Sequence, residues 1–140
     1  MKRDWFGWIR NERGTQILEL ILALPLLWFV FIFSFDQFSI LYNRQKVLAA
    51  AYEAGRIAAV QPNFGLANYH AAEMGQAELK QGIGMTDSQV RLYVQGGWKK
   101  GNHFEAEATM KFHLLATGRP FELKESYHLM VENAEKGGSQ

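Results

Sequence analysis

The feature that most constrains this chain is an apolar run, residues 20–35, that contains no charged side chain. Extended back to Ile17, the run would form a helix about 28 Å long, because an α-helix rises about 1.5 Å per residue. That length matches a membrane hydrocarbon core of about 30 Å. A buried helix of a soluble domain normally keeps a polar stripe, and this run has none. The sequence therefore predicts one membrane-spanning helix.

The rest of the sequence has room for only one small domain. The chain has 140 residues and a formal net charge of +1, so no bulk electrostatic attraction to nucleic acid is expected. It contains no cysteine, which excludes disulfides, thiolate metal sites and cysteine nucleophiles but leaves the compartment open. A small exported domain without disulfides would draw stability from packing against a long helix or against neighbouring subunits.

Basic residues flank the apolar run on both sides, with a weak excess before it. They are Lys2, Arg3, Arg10 and Arg13 before the run and Arg44, Lys46 and Arg56 after it. The excess weakly favours a cytoplasmic N-terminus. A cleaved secretory signal is the alternative, but its apolar core is usually about 7–15 residues long. No small-residue cleavage site follows the run directly, because Asp36 and Gln37 come next.

The junction before the span has an unusual arrangement. A short basic leader, residues 1–14, ends in Gly14, and Glu19 is the fifth residue after that glycine. A carboxylate at the centre of a bilayer costs about 2.5–3.5 kcal/mol, and less near the edge. Glu19 therefore needs compensation from a partner, unless it only lies at the membrane edge and reaches water or Arg13.

This arrangement resembles the type IV prepilin (class III) signal, and residues 10–60 as a whole resemble the start of a TadE-like protein. The TadE-like proteins are a pseudopilin family of the tight-adherence (Tad/Flp) pilus system. The residues that carry the resemblance are Gly14, Glu19, Pro25, Asp36, the stretch 42–45 and the small-residue stretch 49–60. Beyond residue 60 the resemblance is only architectural.

The resemblance implies a site for processing and a site for assembly. A prepilin peptidase would cleave after Gly14 and leave Thr15 as the new N-terminus. Glu19 would pair with the α-amino group of a neighbouring subunit. Pro25 lies inside the span, where it either bends the helix for bundling or is simply tolerated.

The implied role is a minor pilin-like component of a Tad/Flp-type pilus or a related secretion machine. Its implied partners are other pilin-like subunits, prepilin peptidase, inner-membrane platform proteins and membrane lipid. No nucleic acid and no cofactor are expected. The protein would cross the bacterial inner membrane once, with the N-terminus cytoplasmic and the C-terminal domain periplasmic or extracellular. The alternative is an uncleaved single-pass scaffold or interaction subunit of a cell-envelope complex.

The pattern beyond the span predicts an α+β, pilin-like fold. A long helix is expected over residues 15–60, with a transmembrane part at 17–40, because small and apolar residues continue at helical spacing. These are Ile40, Val47, Ala51, Ala54 and Ala58. A periplasmic domain is expected at 61–131. It would begin with a second, shorter helix at 66–81, for which Asn63 can act as the cap.

Period-two alternation then predicts a small antiparallel sheet of about three strands. The first strand surrounds Val90, Leu92 and Val94, and a turn rich in glycine covers residues 96–102. The second strand places apolar residues at every even position from 104 to 114, and a third strand covers 121–131. Residues 132–140 are polar and are expected to form a flexible tail.

No residue pattern predicts an enzyme or a metal site. His103 and His113 lie on one strand face about 33 Å apart, too far to share an ion. All four histidines are expected at the surface or at edges. Glu105 and Glu107 lie on a solvated strand face without a predicted pocket. Lys99 and Lys100, beside Trp98, could contact a membrane or polymer, although turn lysines more often serve solubility.

Overall fold

The computed structural model describes residues 12–135, which form two helices followed by three strands. The elements are α1 (Glu12–Ala59), α2 (Phe64–Leu79), β1 (Met85–Val94), β2 (His103–His113) and β3 (Pro120–Met130). The predicted fold class, with a long N-terminal helix, a shorter helix and an antiparallel three-stranded sheet, is confirmed. Of the predicted leader, residues 1–11 lie outside the described part of the chain.

Helix α1 is continuous over 48 residues, so it is about 72 Å long at 1.5 Å per residue. Its second half packs against both α2 and the sheet. Helix α2 begins at Phe64, two residues earlier than predicted, because the Asn63 side chain accepts a hydrogen bond from the Leu66 N–H at 3.0 Å. That bond satisfies one of the donors left open at a helix start.

The three strands form an antiparallel meander in the order β1-β2-β3. In register, Val90 lies opposite Ala108, and Ala108 lies opposite Glu125. The even positions of β2 from 104 to 112 are buried, as the alternation predicts. Strand β1 is longer than its apolar part and starts at Met85, with a register shift before Asp87. A strand that buries one face in this way packs that face on a helix layer.

Near the far end of the domain the structure adds one contact that the sequence did not predict and corrects one prediction. Trp98 is buried, and its indole Nε1 donates a hydrogen bond to the Gln61 carbonyl at 2.9 Å. Its ring also packs against Phe64 and Phe104, so it is unavailable to a membrane or polymer. Residues 132–135 are not free, because the Glu132 N–H donates to the carbonyl of Ala59 and the Glu135 N–H to that of Pro62. Residues 136–140 lie outside the described part.

Candidate assembly site

The first half of α1, residues 14–35, has no buried residue. The large apolar side chains point into the surroundings, with Leu22, Trp28 and Phe29 each more than 65 % exposed. The helix Gly14–Ala59 is long and apolar enough to cross a membrane, and its most apolar window has a mean hydropathy of 2.4. Within residues 12–135 it is the one such helix. An exposed apolar surface of this extent along half of a helix fits a single-pass membrane protein.

Glu19 lies in the first turns of this exposed half, and its side chain is exposed. No basic side chain between residues 14 and 135 forms an ion pair with it. A carboxylate at this position has two possible sources of compensation, water at the membrane edge or a cation from another molecule. The fold itself supplies no compensating group from the residues that the structure describes.

The predicted processing residues are helical. Helix α1 begins at Glu12, so the Gly14–Thr15 peptide bond lies within its first turns. Pro25 is also inside the helix, which is assigned as continuous across it. Because proline has no N–H, the carbonyl four residues earlier lacks its usual partner, a local weakness that membrane helices tolerate. Ser34, by contrast, satisfies its hydroxyl by donating to the Val30 carbonyl at 2.7 Å.

A polar junction follows directly after the exposed half. Asp36 is buried, and its Oδ1 accepts hydrogen bonds from the N–H groups of Ala116 at 2.9 Å and Thr117 at 3.2 Å. Its Oδ2 accepts a third bond from the Thr117 hydroxyl at 2.7 Å. A carboxylate with three donors is well satisfied out of water. Asp36 therefore attaches the loop between β2 and β3 to the helix.

Asn43 makes a second attachment two turns further along α1. Its side-chain amide donates to the Ile83 carbonyl and accepts from the Ile83 N–H, each at 2.8 Å. The residue is fully buried. Ser39, between the two, is also buried and donates to the Asp36 carbonyl at 2.8 Å. These three residues form the polar junction, which joins both loops at one end of the domain to the helix.

Beyond the junction, α1 presents small side chains to the domain. Val47 and four alanines, Ala50, Ala51, Ala54 and Ala58, have no exposed surface at all. Gly55 and Gly75 are points of close approach. A Cβ at Gly75 would lie 2.6 Å from Val90 Cγ2 and 3.3 Å from the Ala54 Cβ. The absence of side-chain bulk lets α1, α2 and β1 meet at close range.

The polar face of the sheet carries a small cluster that the alternation did not predict. A cavity of about 390 Å³ is lined by Tyr93, His103, Glu105 and His128 among others. His128 Nε2 lies 3.7 Å from Glu105 Oε2, and both side chains are partly exposed. Nowhere in residues 12–135 do three potential ligands of the His, Cys, Asp and Glu types group closely enough to hold a metal. The cluster is a polar surface of the strands that is open to solvent.

Sequence reasoning found the apolar span and Glu19, but it predicted no contact within the fold for Asp36 or for Asn43. Both lie on the helix face that holds Val47 and the buried alanines, with Asp36 about three turns and Asn43 about one turn before Val47. That spacing was the available signal. A polar residue in line with an apolar face often reaches a specific partner, and here the partners are the loops after α2 and β2.

The described residues thus define a class: a small α+β domain packed on the second half of one long helix whose first half is apolar and exposed. The family model described as TadE-like protein matches residues 14–56, which is almost the whole of α1. The predicted resemblance to the TadE-like family is therefore confirmed over the helix that carries Glu19 and Asp36. Comparisons with curated proteins and with solved structures found no match. The family match associates the chain with the Tad pilus system.

Proposed function

We propose that this chain is a minor pilin-like component of a Tad/Flp-type pilus or a related secretion machine. Prepilin peptidase removes the leader after Gly14, and the chain co-assembles with other pilin-like subunits through the first half of α1. It is anchored in the bacterial inner membrane with the C-terminal domain on the outer side, where inner-membrane platform proteins act on it. Its role is structural rather than catalytic.

The observation that carries the proposal is Glu19 on the first half of α1, where no residue from 14 to 35 is buried. Residues 14–35 are not buried by any other part of the described fold, and the Glu19 carboxylate has no cation among the described residues. In lipid, such a group is unfavourable until a neighbouring subunit supplies a positive charge. The new α-amino group that processing would create at Thr15 is a cation of suitable position in that neighbour. Processing and assembly are thereby coupled.

Substitution of Glu19 tests this coupling. We expect Glu19→Ala to be inserted in the membrane but to enter the assembly at least about tenfold less, the factor that corresponds to 1.4 kcal/mol. Glu19→Gln keeps the size of the side chain but loses its charge, so it should fail as well. The measurement is the ratio of this protein in purified filaments or secretion complexes to that in the membrane fraction.

Gln16→Ala is the matched control. Gln16 lies one turn before Glu19, is exposed and is uncharged. It should enter the assembly as the unaltered protein does. If Glu19→Ala and Gln16→Ala incorporate equally well, the carboxylate has no role in assembly and the proposal is wrong in its central step.

Processing has its own test, mass spectrometry of the protein recovered from an assembled complex in its native host. The expected N-terminus is Thr15. A bulky substitution, Gly14→Leu, should leave the leader attached and keep the protein in the membrane fraction. Recovery of an assembled, working form that still carries residues 1–14 would argue directly against the pilin-like role.

A permanently anchored scaffold subunit of an envelope complex is the second candidate. The observation in its favour is that α1 begins at Glu12, so the Gly14–Thr15 bond lies within helix rather than in an extended segment. Proteases generally need an extended substrate backbone, and a helical bond would first have to unfold locally. This candidate predicts that the leader stays and that Glu19→Ala leaves complex formation unchanged.

A further inference from the structure

The loop between β2 and β3, residues 114–119, is a closed and hydrogen-bonded unit. The Leu114 N–H donates to the Arg119 carbonyl at 2.9 Å, and the Gly118 N–H donates to the Leu114 carbonyl at 3.0 Å. Gly118 has a φ of 67°, a conformation that glycine adopts readily and most other residues do not. The loop therefore presents its tip, residues 115–117, in a defined shape.

Asp36 determines where this loop lies along the helix. The carboxylate accepts hydrogen bonds from both Ala116 and Thr117, so the tip is held beside the first helix residue after the exposed apolar half. Leu115 is adjacent to Ala116, and consecutive Cα atoms are about 3.8 Å apart. The headgroup region of a bilayer is about 5–8 Å thick on each side. A helix that spans the membrane up to residue 35 therefore brings Leu115 to the headgroup level.

The chemistry of the loop suits that position. Leu115 is 51 % exposed, although Leu114 beside it packs against the core. Arg119 is exposed and is the single charged residue among residues 114–119. An apolar tip next to a cation is the combination that rests at a membrane surface, with the leucine toward the acyl chains and the guanidinium toward phosphate.

We propose that residues 114–119 form an interfacial loop that inserts Leu115 at the headgroup–acyl boundary and places Arg119 against anionic lipid phosphates. The inference rests on the membrane anchoring in the proposed function and adds a second membrane contact made by the folded domain. This contact fixes the distance between the domain and the bilayer, and it limits how far the domain can rotate or tilt about α1.

Lipid is a better occupant than another protein for two reasons. The loop lies beside the end of the apolar residues 14–35, since Asp36, the next residue, bonds to the loop tip directly. Its exposed apolar part is one leucine, whereas a stable protein interface buries about 800 Å² on each partner. A single leucine beside one arginine is too small for that, but it is sufficient as an auxiliary contact for a domain that a helix already anchors.

Site-directed labelling tests the proposal cleanly, because the chain contains no cysteine of its own. Three single-cysteine variants of the full chain, Leu115→Cys, Lys100→Cys and Leu27→Cys, would be labelled with an environment-sensitive fluorophore. Each would be reconstituted alone in nanodiscs of phosphatidylethanolamine and phosphatidylglycerol. Leu27 lies within the span, and Lys100 is exposed in the turn at the opposite end of β2. The readouts are the emission wavelength and quenching by aqueous iodide.

The expected result is a blue-shifted emission and severalfold weaker iodide quenching at position 115 than at position 100, with position 27 shielded most. In the Leu115→Cys background, Arg119→Gln should increase quenching at 115 in these discs and have no effect in discs of phosphatidylcholine alone.

Two other outcomes overturn the proposal in distinguishable ways. If position 27 is shielded but position 115 is quenched like position 100, the interfacial loop is wrong and the membrane anchor stands. If shielding at 115 then appears only after partner subunits are added, the loop binds protein. If position 27 is itself quenched, the membrane anchor fails and the loop inference fails with it.

Discussion

The two halves of α1 belong to one continuous helix but have opposite surfaces. Residues 14–35 carry leucine, phenylalanine and tryptophan side chains, none of which the rest of the described fold buries. In residues 36–59, the face that α2 and the sheet bury consists mainly of alanines, Gly55, Val47 and short polar side chains. Large apolar side chains give favourable transfer into lipid, whereas small ones permit close approach of neighbouring backbones. The size of the side chains thus distinguishes the half of α1 that is suited to lipid from the face of the other half that packs against the domain.

The largest expected effect is the difference between a lysine placed on the first half of α1 and a lysine placed on the second half. Leu27 and Leu48 are both exposed leucines of α1, at 52 % and 44 %. Leu27→Lys should make membrane insertion less favourable by about 3 kcal/mol, the cost of lysine at the centre of a span. Leu48→Lys should have almost no effect, because that position faces water. The measurement is the inserted fraction after alkaline extraction of membranes. Equal behaviour of the two variants would contradict the division of the helix.

The second effect concerns the polar junction, where the two halves meet. Asn43→Ala removes both hydrogen bonds to Ile83 and leaves that N–H and carbonyl without partners. We expect a loss of about 2 kcal/mol in the free energy of unfolding, within the range for unsatisfied buried groups. This loss can be measured by hydrogen exchange of the β2 amides, with the full chain in nanodiscs. Gln45→Ala, at an exposed position of the same helix, is the control and should leave exchange unchanged.

A third, smaller effect tests the close packing of the second half. Gly75→Ala would place a methyl group 2.6 Å from Val90 Cγ2, and the stiff valine has little freedom to yield. Gly65→Ala, in the same helix, meets only the Asn63 side chain at 3.5 Å. Both changes add one methyl group to a helical glycine. The difference between their losses in free energy of unfolding therefore measures the cost of overpacking at Gly75, which we expect to be about 1–2 kcal/mol. Equal thermal stability of the two variants would show that the helices are not closely packed there.

The smallest expected effect lies on the solvated face of the sheet. Lys124 Nζ is 2.8 Å from Glu107 Oε2, and this hydrogen bond raises the pKa of Lys124 above its ordinary value. A raised lysine pKa adds stability at neutral pH, and the contribution disappears as the pH rises through that pKa. Lys124→Gln should therefore lower the melting temperature slightly at neutral pH and not at strongly alkaline pH. The difference should shrink in high salt. Lys100→Gln, in the exposed turn, is the control.

The helices and strands could be predicted from the sequence because each is specified by a pattern of neighbouring residues. The uncharged run, the even-position alternation of β2 and the glycine turn between β1 and β2 all reflect interactions within a few residues. Burial of Trp98 was not predicted, because a turn of glycines and lysines gives no local signal for it. Its indole instead reaches the Gln61 carbonyl across the domain. Residues 132–135 were likewise misjudged, because polarity alone does not reveal hydrogen bonds to the end of α1.

The sequence alone determined that one helix of this protein is apolar all round, that a carboxylate lies near its start and that a one-faced sheet follows. Periodicity and hydrophobicity are properties of neighbouring residues, and they need no knowledge of the fold. Only the tertiary structure decided that Asp36 and Asn43 attach the domain to the helix, because their partners lie 40 to 81 residues away along the chain. A buried polar group is stable only beside a matching group, and the chain pattern does not reveal which distant backbone supplies it.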